Sequence, residues 1–350
     1  MAGQADCDEQ RCHGDQASST RFSPKLSLGR AGAQDAGGNC RILTVQGVHP
    51  IAETQFSDIY LWMSGIDPDS VEDIRPSVKG CGMNVHAERV AAFRDLHSSG
   101  CFVMPNPWDV GSAKALERMG FKALASTSAG FAWTLGRGDD RVTLEETLEH
   151  LRLLVGAVTV PVNADFKGAF AVDPQQVHAN VKLAVATGIA GLSIEDSTGD
   201  EVDPLFEFDL AVERVRAARR AIDETGIEVV LTGRSEGFVI GRPDIEETTR
   251  RLQAYAEAGA DCLYAPRIDT VEQVAAIIAA VTPKPVNLLI NAPFMTVADA
   301  ATMGVRRISV GGTLARTAWH EFLQAAQEIA EMGTFSRFEQ LPNVEALFHQ

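Results

Sequence analysis

Long apolar runs are missing from this chain of 350 residues: none approaches the roughly 18 residues that a membrane-spanning helix needs. Positive charge is scarce as well. Against 31 Lys and Arg stand 47 Asp and Glu, a formal net charge of −16. That balance argues against non-specific binding to nucleic acid or to anionic membranes, both of which need a basic surface. It does not forbid an anionic substrate, because a local arginine and a metal can reverse the field inside one cleft. None of the six cysteines forms a CxxC pair, so zinc and thioredoxin-like sites are not expected. Cys7, Cys12 and His13 are close in sequence but are not expected to form a metal site, and Cys101 and Cys262 are expected to be buried, reduced thiols. The N-terminus lacks the basic and then apolar layout of a secretory signal, and the expectation is a cytoplasmic protein.

What is present falls into two unlike parts. Residues 1–82 read as an extension, mostly disordered: the first forty are rich in Gly, Ala, Gln, Asp and Ser with almost no aliphatic periodicity. Apolar patches such as Ile59-Tyr60-Leu61-Trp62-Met63 are too brief to build a domain. The regular sequence starts near Met83, where the functional protein is expected to begin, and the folded domain is placed at 83–335 with a tail at 336–350.

From His86 onward short apolar runs alternate with helical patterns. Strands are predicted at 101–104, 123–127, 162–165, 192–195, 229–233, 262–265, 286–290 and 307–310. Asp109 is the predicted N-cap of the first intervening helix, and Gly120, Gly188 and Gly259 end helices. Eight strand–helix units in about 230 residues predict a (β/α)₈ barrel, an α/β fold of parallel strands with right-handed crossovers. The rival, a doubly wound open sheet, would normally carry a Gly-rich dinucleotide turn after its first strand. Here that strand runs into Pro105-Asn106-Pro107-Trp108, and no GxGxxG follows.

In such barrels the reactive side chains sit at the carboxyl ends of the strands. Val162-Asn163-Ala164-Asp165 and Leu192-Ser193-Ile194-Glu195 are apolar runs that end in acids, and the fifth strand ends in Arg234. Asp165 and Glu195 face one mouth and suit Mg²⁺, which keeps several waters and takes one or two carboxylates. Glu236 is placed to orient Arg234, whose fork grips a carboxylate bidentately. Thr127, Ser128, Ala129 and Gly130 form a small-residue turn whose N–H groups can cradle an oxyanion. Asp139 and Asp140 lie in a Gly-rich loop long enough to be a lid. His97, His150, His178 and His320 fall on predicted helices away from the strand ends and are expected on the surface.

Between about 88 and 325 the chain resembles the isocitrate lyase/phosphoenolpyruvate mutase superfamily, in particular its short bacterial members. The resemblance rests on Pro105-Asn106-Pro107-Trp108-Asp109, Ser126-Thr127-Ser128-Ala129-Gly130, Leu135-Gly136, Ser193-Ile194-Glu195-Asp196, Thr232-Gly233-Arg234-Ser235-Glu236 and Val310-Gly311-Gly312. It implies a barrel that binds Mg²⁺ (or Mn²⁺) and an α-oxycarboxylate, and that makes or breaks a C–C or P–C bond through an enolpyruvate-type intermediate. It also implies a homo-oligomer, a dimer or a tetramer formed by exchange of the last helix. Carried over by position, Thr127, Ser128 and Ala129 would hold the substrate carboxylate and oxyanion, and Asp139 matches the lid-loop aspartate. Asp165, Glu195 and Asn163 fall at metal-site positions, and Arg234 lies beside the reacting bond.

Three departures narrow the activity. Asn163 stands where the family has its principal aspartate ligand. The loop Ser197-Thr198-Gly199-Asp200 lacks the cysteine of the isocitrate and methylisocitrate lyases. Pro266 and Arg267 stand where the mutases carry a histidine. The expectation is therefore a Mg²⁺-dependent lyase or decarboxylase acting on a small 2-oxo or 2-hydroxy dicarboxylate such as oxaloacetate or a substituted malate. The alternatives are P–C mutase or hydrolase chemistry on a phosphonopyruvate-like compound, and a barrel that only binds a carboxylate.

Overall fold

Eight short strands run parallel in the computed structural model, which describes residues 78–348, with side chains from Val85 onward. They are β1 (Phe102–Met104), β2 (Leu124–Ala125), β3 (Val162–Asp165), β4 (Gly191–Glu195), β5 (Val230–Arg234), β6 (Cys262–Tyr264), β7 (Val286–Leu289) and β8 (Arg307–Ser309). Hydrogen-bonded neighbours follow the order β1-β8-β7-β6-β5-β4-β3-β2. The first strand pairs with the last, Phe102 beside Arg307 and Met104 beside Ser309. β1 and β2 stand at the two ends of that order, and the bond from Ala125 N to Pro105 O brings those ends together, so the sheet curls into a nearly closed barrel. Cys7, Cys12, His13 and the Ile59–Met63 patch lie outside the described residues.

The ring has a seam between β1 and β2. Pro105 and Pro107 have no N–H to offer a ladder, and a single main-chain bond crosses there, from Ala125 N to Pro105 O at 3.0 Å. The Asn106 amide completes the join. Its Nδ2 donates to Ser126 O at 2.9 Å, and its Oδ1 accepts from the N–H groups of Val310 and Gly311, each at 2.9 Å.

Ten helices are described: α1 (Val78–Leu96), α2 (Val110–Arg118), α3 (Ser128–Thr134), α4 (Leu144–Ala157), α5 (Pro174–Val185), α6 (Phe208–Thr225), α7 (Ile245–Glu257), α8 (Val271–Val281), α9 (Val297–Met303) and α10 (Thr313–Met332). Local chemistry sets their ends. Asp109 caps α2 by accepting from Ser112 N at 2.7 Å, and Gly120, Gly188 and Gly259 leave their helices with φ of 91°, 90° and 106°, a region glycine enters without a Cβ clash.

Helix α1 closes the amino end of the barrel. Arg89 donates to Val155 O and Val158 O (3.0 and 2.7 Å), His86 meets Ile189 O at 2.8 Å, and Arg94 donates to Glu228 O at 3.0 Å. These carbonyls precede β3, β4 and β5, so the helix lies across the strand starts and pushes Phe93 into the interior. Gly191 makes that approach possible, because a Cβ there would lie 2.6 Å from the Phe93 ring and 2.5 Å from Asn163 Oδ1.

Two histidines expected on the surface are not there. His150 is buried, stacked on Phe131 with ring centroids 3.9 Å apart. Burial pushes its pKa down to about 4. The reason is α3, whose Phe131 covers the face of α4 that would otherwise meet water. His97 packs edge-on against Phe93 and Phe102 at 4.7 and 5.1 Å, and burial, reinforced by Arg307, lowers it to about 3. His178 is half-buried with Nε2 3.0 Å from Glu224, and His320 is exposed as expected. Cys262 is buried and Cys101 half-buried, both as free thiols. No helix among the described residues is long and apolar enough to cross a membrane.

Candidate active site

Arg234, the last residue of β5, is the centre of the mouth. Its Nη1 lies 3.1 Å from Asp165 Oδ1 at the end of β3 and 3.1 Å from Glu195 Oε2 at the end of β4. Its Nε donates to Glu236 Oε1, and its guanidinium carbon lies 5.3 Å from the centre of the Tyr264 ring. Strand register explains the grouping: Glu195 is directly opposite Arg234 across the β4–β5 ladder, and Arg234 opposite Tyr264 across β5–β6. Asp165 pairs with Ser193, two residues before Glu195, and Glu236 follows β5 by two residues, so the three carboxylates reach the cation from the ends of β3 and β4 and from the loop after β5.

Asp165 also anchors the segment after β2. Its Oδ2 accepts from Ser128 N and Ser128 Oγ, both at 2.9 Å. The small-residue turn expected here is the start of α3, with Thr127 as N-cap accepting from Gly130 N at 3.2 Å. The Ser128 N–H is thus taken by Asp165 and that of Gly130 by Thr127, which leaves the Ala129 N–H for a ligand. Thr127, Ser128 and Ala129 all line the central cleft.

The lid loop reaches the same network. Asp139 begins a 3₁₀ turn, Asp139–Arg141; its Oδ2 accepts from Ser128 Oγ at 3.1 Å. Its other oxygen pairs with Lys167 Nζ at 2.9 Å, and Lys167 also donates to the Asp139 carbonyl. Lys167 was not among the expected site residues. It reaches the lid because the backbone after β3 turns left-handed, with φ of 50° at Lys167 and 56° at both Ala169 and Phe170. Buried Arg214 holds that strained loop in place, donating to Gly168 O, Ala171 O and Glu195 O at 2.5, 2.9 and 3.1 Å. Its guanidinium lies 3.9 Å from the Phe206 ring centre.

Behind Glu236 is a second buried carboxylate, Asp196. It accepts from Glu236 N at 2.7 Å, from Tyr255 Oη at 2.6 Å and from Arg251 Nη1 at 3.3 Å. Asp196 therefore fixes the backbone from which Glu236 meets Arg234.

Asn163 sits one layer lower than Asp165, since side chains two apart on a strand share a face. Its Nδ2 donates to Ala164 O at 3.3 Å, while Oδ1 faces Gly191 and has no hydrogen-bond partner. Beneath the cleft lies buried Arg307, which has neutral partners: Asn287 Oδ1 at 2.8 Å, Thr232 Oγ1 at 3.0 Å and His97 Nε2 at 3.3 Å. With His97 neutral, its Nδ1–H donates to Phe93 O (2.7 Å) and its Nε2 accepts from the arginine.

The electrostatics follow from burial. Glu195 is pushed up to about 8, mainly by loss of water, with Arg234 pulling the other way and Glu236, Asp165 and Asp139 adding to the rise. Glu236 is raised for the same first reason. Arg234 stays firmly charged, its three carboxylate neighbours outweighing its own burial. Burial thus favours the protonated form of Glu195 more than in an ordinary carboxyl.

A stability prediction follows. A carboxyl raised in the folded state holds a proton that the unfolded chain has released above about 4.5, the ordinary value. The stabilisation from Glu195 is complete below about 4.5 and is lost as pH rises through about 8. Urea midpoints should fall between pH 5 and 8.5, and Glu195→Gln should flatten that fall. An unchanged slope in the variant would assign the effect to another group.

A parallel barrel with acids, an arginine and hydroxyl groups at its strand ends defines an α/β-barrel enzyme with a carboxylate-rich mouth. A family model described as phosphoenolpyruvate phosphomutase matches residues 93–330, and the chain belongs to that family. The chain is an enzyme of the carbon–carbon lyase type. A solved structure of a candidate lyase/mutase from Burkholderia cenocepacia J2315 is 40% identical, covers 75% of this chain and 97% of that one, and superposes with a TM-score of 0.73. A structure of oxaloacetate acetylhydrolase with its product oxalate is 25% identical over 75% of this chain and 93% of its own, with a TM-score of 0.66. Oxaloacetate decarboxylase of Rhodopseudomonas palustris strain BisB18 is 26% identical over 65% of this chain and 79% of its own.

Proposed function

We propose that this chain acts on a small 2-oxo or 2-hydroxy dicarboxylate, decarboxylating it or cleaving a C–C bond to leave a pyruvate-type enolate, with oxaloacetate as the first substrate to try. The observation that carries the reading is Arg234, held by three carboxylates beside the Thr127–Ala129 segment in a cleft of about 210 Å³. Relatives named for oxaloacetate chemistry support the substrate class.

The donor set fits a hard divalent ion. Asp165 Oδ1 and Glu195 Oε2 both lie 3.1 Å from one cationic nitrogen, so their oxygens converge where positive charge is favoured. Among the described residues no three His, Cys, Asp or Glu side chains are grouped to enclose a metal. Two carboxylates plus waters and substrate oxygens are the usual share for Mg²⁺. Asp165 and Glu195 would hold Mg²⁺, or Mn²⁺ in its place, and the unpartnered Asn163 Oδ1 is the neutral donor nearest in sequence. When bound, the ion polarises the 2-oxo oxygen and stabilises the enolate that develops on it.

The remaining roles belong to the chain itself. Ala129 N–H and the Thr127 hydroxyl orient the substrate's carboxylate, and Ser128, whose N–H and hydroxyl are given to Asp165 and Asp139, holds that segment in place. Arg234 presents a fixed positive charge to the developing oxyanion, and Glu236 keeps its plane from turning. As the C–C bond to the departing carboxylate breaks, its electron pair forms the enolate and carbon dioxide leaves, and the enolate carbon takes its proton from water as the product is released. The Asp139–Lys167 contact closes the lid over the mouth and keeps water out. Exposed Trp319, Phe322 and Leu323 on α10 support assembly into a homo-oligomer.

The test is incubation of the full chain with Mg²⁺ and oxaloacetate, phosphonopyruvate or substituted malates, following pyruvate by coupled assay and phosphorus by NMR. Pyruvate from oxaloacetate that disappears in Asp165→Ala is the expected result. A phosphorus product instead would move the chain to P–C chemistry, which the description of the family model favours. Carboxylate binding without turnover across the panel would make it a binding barrel.

A further inference from the structure

A second cavity, of about 500 Å³, opens behind the mouth, between the loops that follow β4 and β5. Its size is within the roughly 300–1,000 Å³ of small-molecule sites. It shares no lining residue with the central cleft. A wall one residue thick separates the two, because extended backbone turns successive side chains to opposite faces. After β5, Arg234 and Glu236 face the mouth while Ser235 and Gly237 face the cavity. After β4, Ser197 and Gly199 face the mouth side and Thr198 the cavity.

The wall carries a group that the fold leaves unsatisfied. Ser235 is 1% exposed, and its hydroxyl has no hydrogen-bond partner. Buried polar side chains are seldom left so, and each such atom calls for a partner from outside the chain or a reason within it. Buried Arg251 also lines the cavity. Its Nε is given to Glu247 and its Nη1 to Asp196 and Phe206 O, while its Nη2 has no acceptor among the described residues. The rim offers free charge of both signs. Exposed Arg242 meets only Val202 O, at 3.5 Å, and exposed Asp203 and Glu207 have no ion pair among the described residues. Leu205, Phe206 and Leu210 supply an apolar side.

We infer that this cavity binds a small α-amino acid with an apolar side chain. Its carboxylate would take the Ser235 hydroxyl, Arg251 Nη2 and the Arg242 fork, and its ammonium would face Asp203 and Glu207. A ligand of one sign would leave the opposite rim charge unanswered, whereas a zwitterion answers both. The site is separate from the mouth and independent of the reaction proposed there.

The experiment is calorimetric titration of the full chain with L-leucine, with isopentylamine (no carboxylate) and with isocaproate (no ammonium). L-Leucine should bind at least tenfold more tightly than either analogue. Arg242→Ala should weaken leucine at least fivefold and leave isopentylamine unchanged. Ser235→Ala should weaken leucine at least threefold, while its urea midpoint without ligand equals or exceeds that of the wild type, because a hydroxyl with no partner stabilises nothing. A lower midpoint would give that hydroxyl a purely structural role and overturn the site, as would leucine affinity unchanged in both variants. An analogue that binds as tightly as leucine overturns the zwitterion. No leucine binding to the wild type overturns the inference outright.

Discussion

Arg234→Ala should reduce turnover of the proposed substrate by about 10³-fold, the upper range for loss of one preorganised charge donor, and should destabilise the fold as well. The second effect follows from burial. Asp165, Glu195 and Glu236 share this single guanidinium, and removing one partner of a buried ion pair typically costs ~3–5 kcal/mol. The sign of its pH dependence is fixed by the same groups. Glu195 and Glu236 are already raised, and without the arginine they rise further. At pH 5 Glu195, raised to about 8, is protonated in wild type and variant alike, so the stability gap should be smaller there and should widen toward pH 8.5. Urea titrations at both values measure it. A gap that is constant with pH would mean the arginine stabilises through packing rather than charge. Arg234→Lys keeps a charge but loses the fork, and should recover stability more than turnover.

Asp196→Ala should be the second severe substitution, although Asp196 does not face the cleft. It leaves Arg251 and Tyr255 buried without their shared acceptor and frees the Glu236 backbone. Arg251 keeps Glu247 at 2.8 Å and Phe206 O at 3.0 Å, so the loss comes from the Tyr255 hydroxyl and the Glu236 N–H, at about 1–3 kcal/mol for each buried group left unsatisfied. As a positioning residue it should also reduce kcat with little change in KM, because Glu236 no longer holds the Arg234 plane. Asp196→Asn keeps one acceptor and should restore much of the stability but less of the rate. If both variants unfold at the wild-type midpoint, the network is not structural and the account above is wrong.

The strand ends were legible because buried parallel strands read as apolar runs, and a polar residue that closes one has nowhere to go but the mouth. That rule found Asp165, Glu195 and Arg234, and the structure joins them through one nitrogen. Helix α3 was hidden because seven residues, Ser128–Thr134, are too few to show a periodic stripe. His150 went astray with it, since its cover is a residue of that unseen helix. Lys167 could not be found from composition or spacing: its place depends on left-handed backbone at three of four residues, Lys167, Ala169 and Phe170. Arg214 was missed for a different reason. On an amphipathic helix an arginine reads as solvated, and only the loop carbonyls it binds reveal why it is buried.

The clasp at the barrel seam bears on how relatives of this chain should be read. Between two prolines, Asn106 must donate to one carbonyl and accept from two N–H groups at the same time. Aspartate lacks the donor, glutamine moves the amide by one methylene, and an aliphatic residue leaves three main-chain groups unsatisfied at the rim. Selection for ring closure alone is enough to keep this asparagine fixed. An invariant side chain beside a reaction chamber is easily taken for a reagent, and here invariance would record the joinery of the vessel instead.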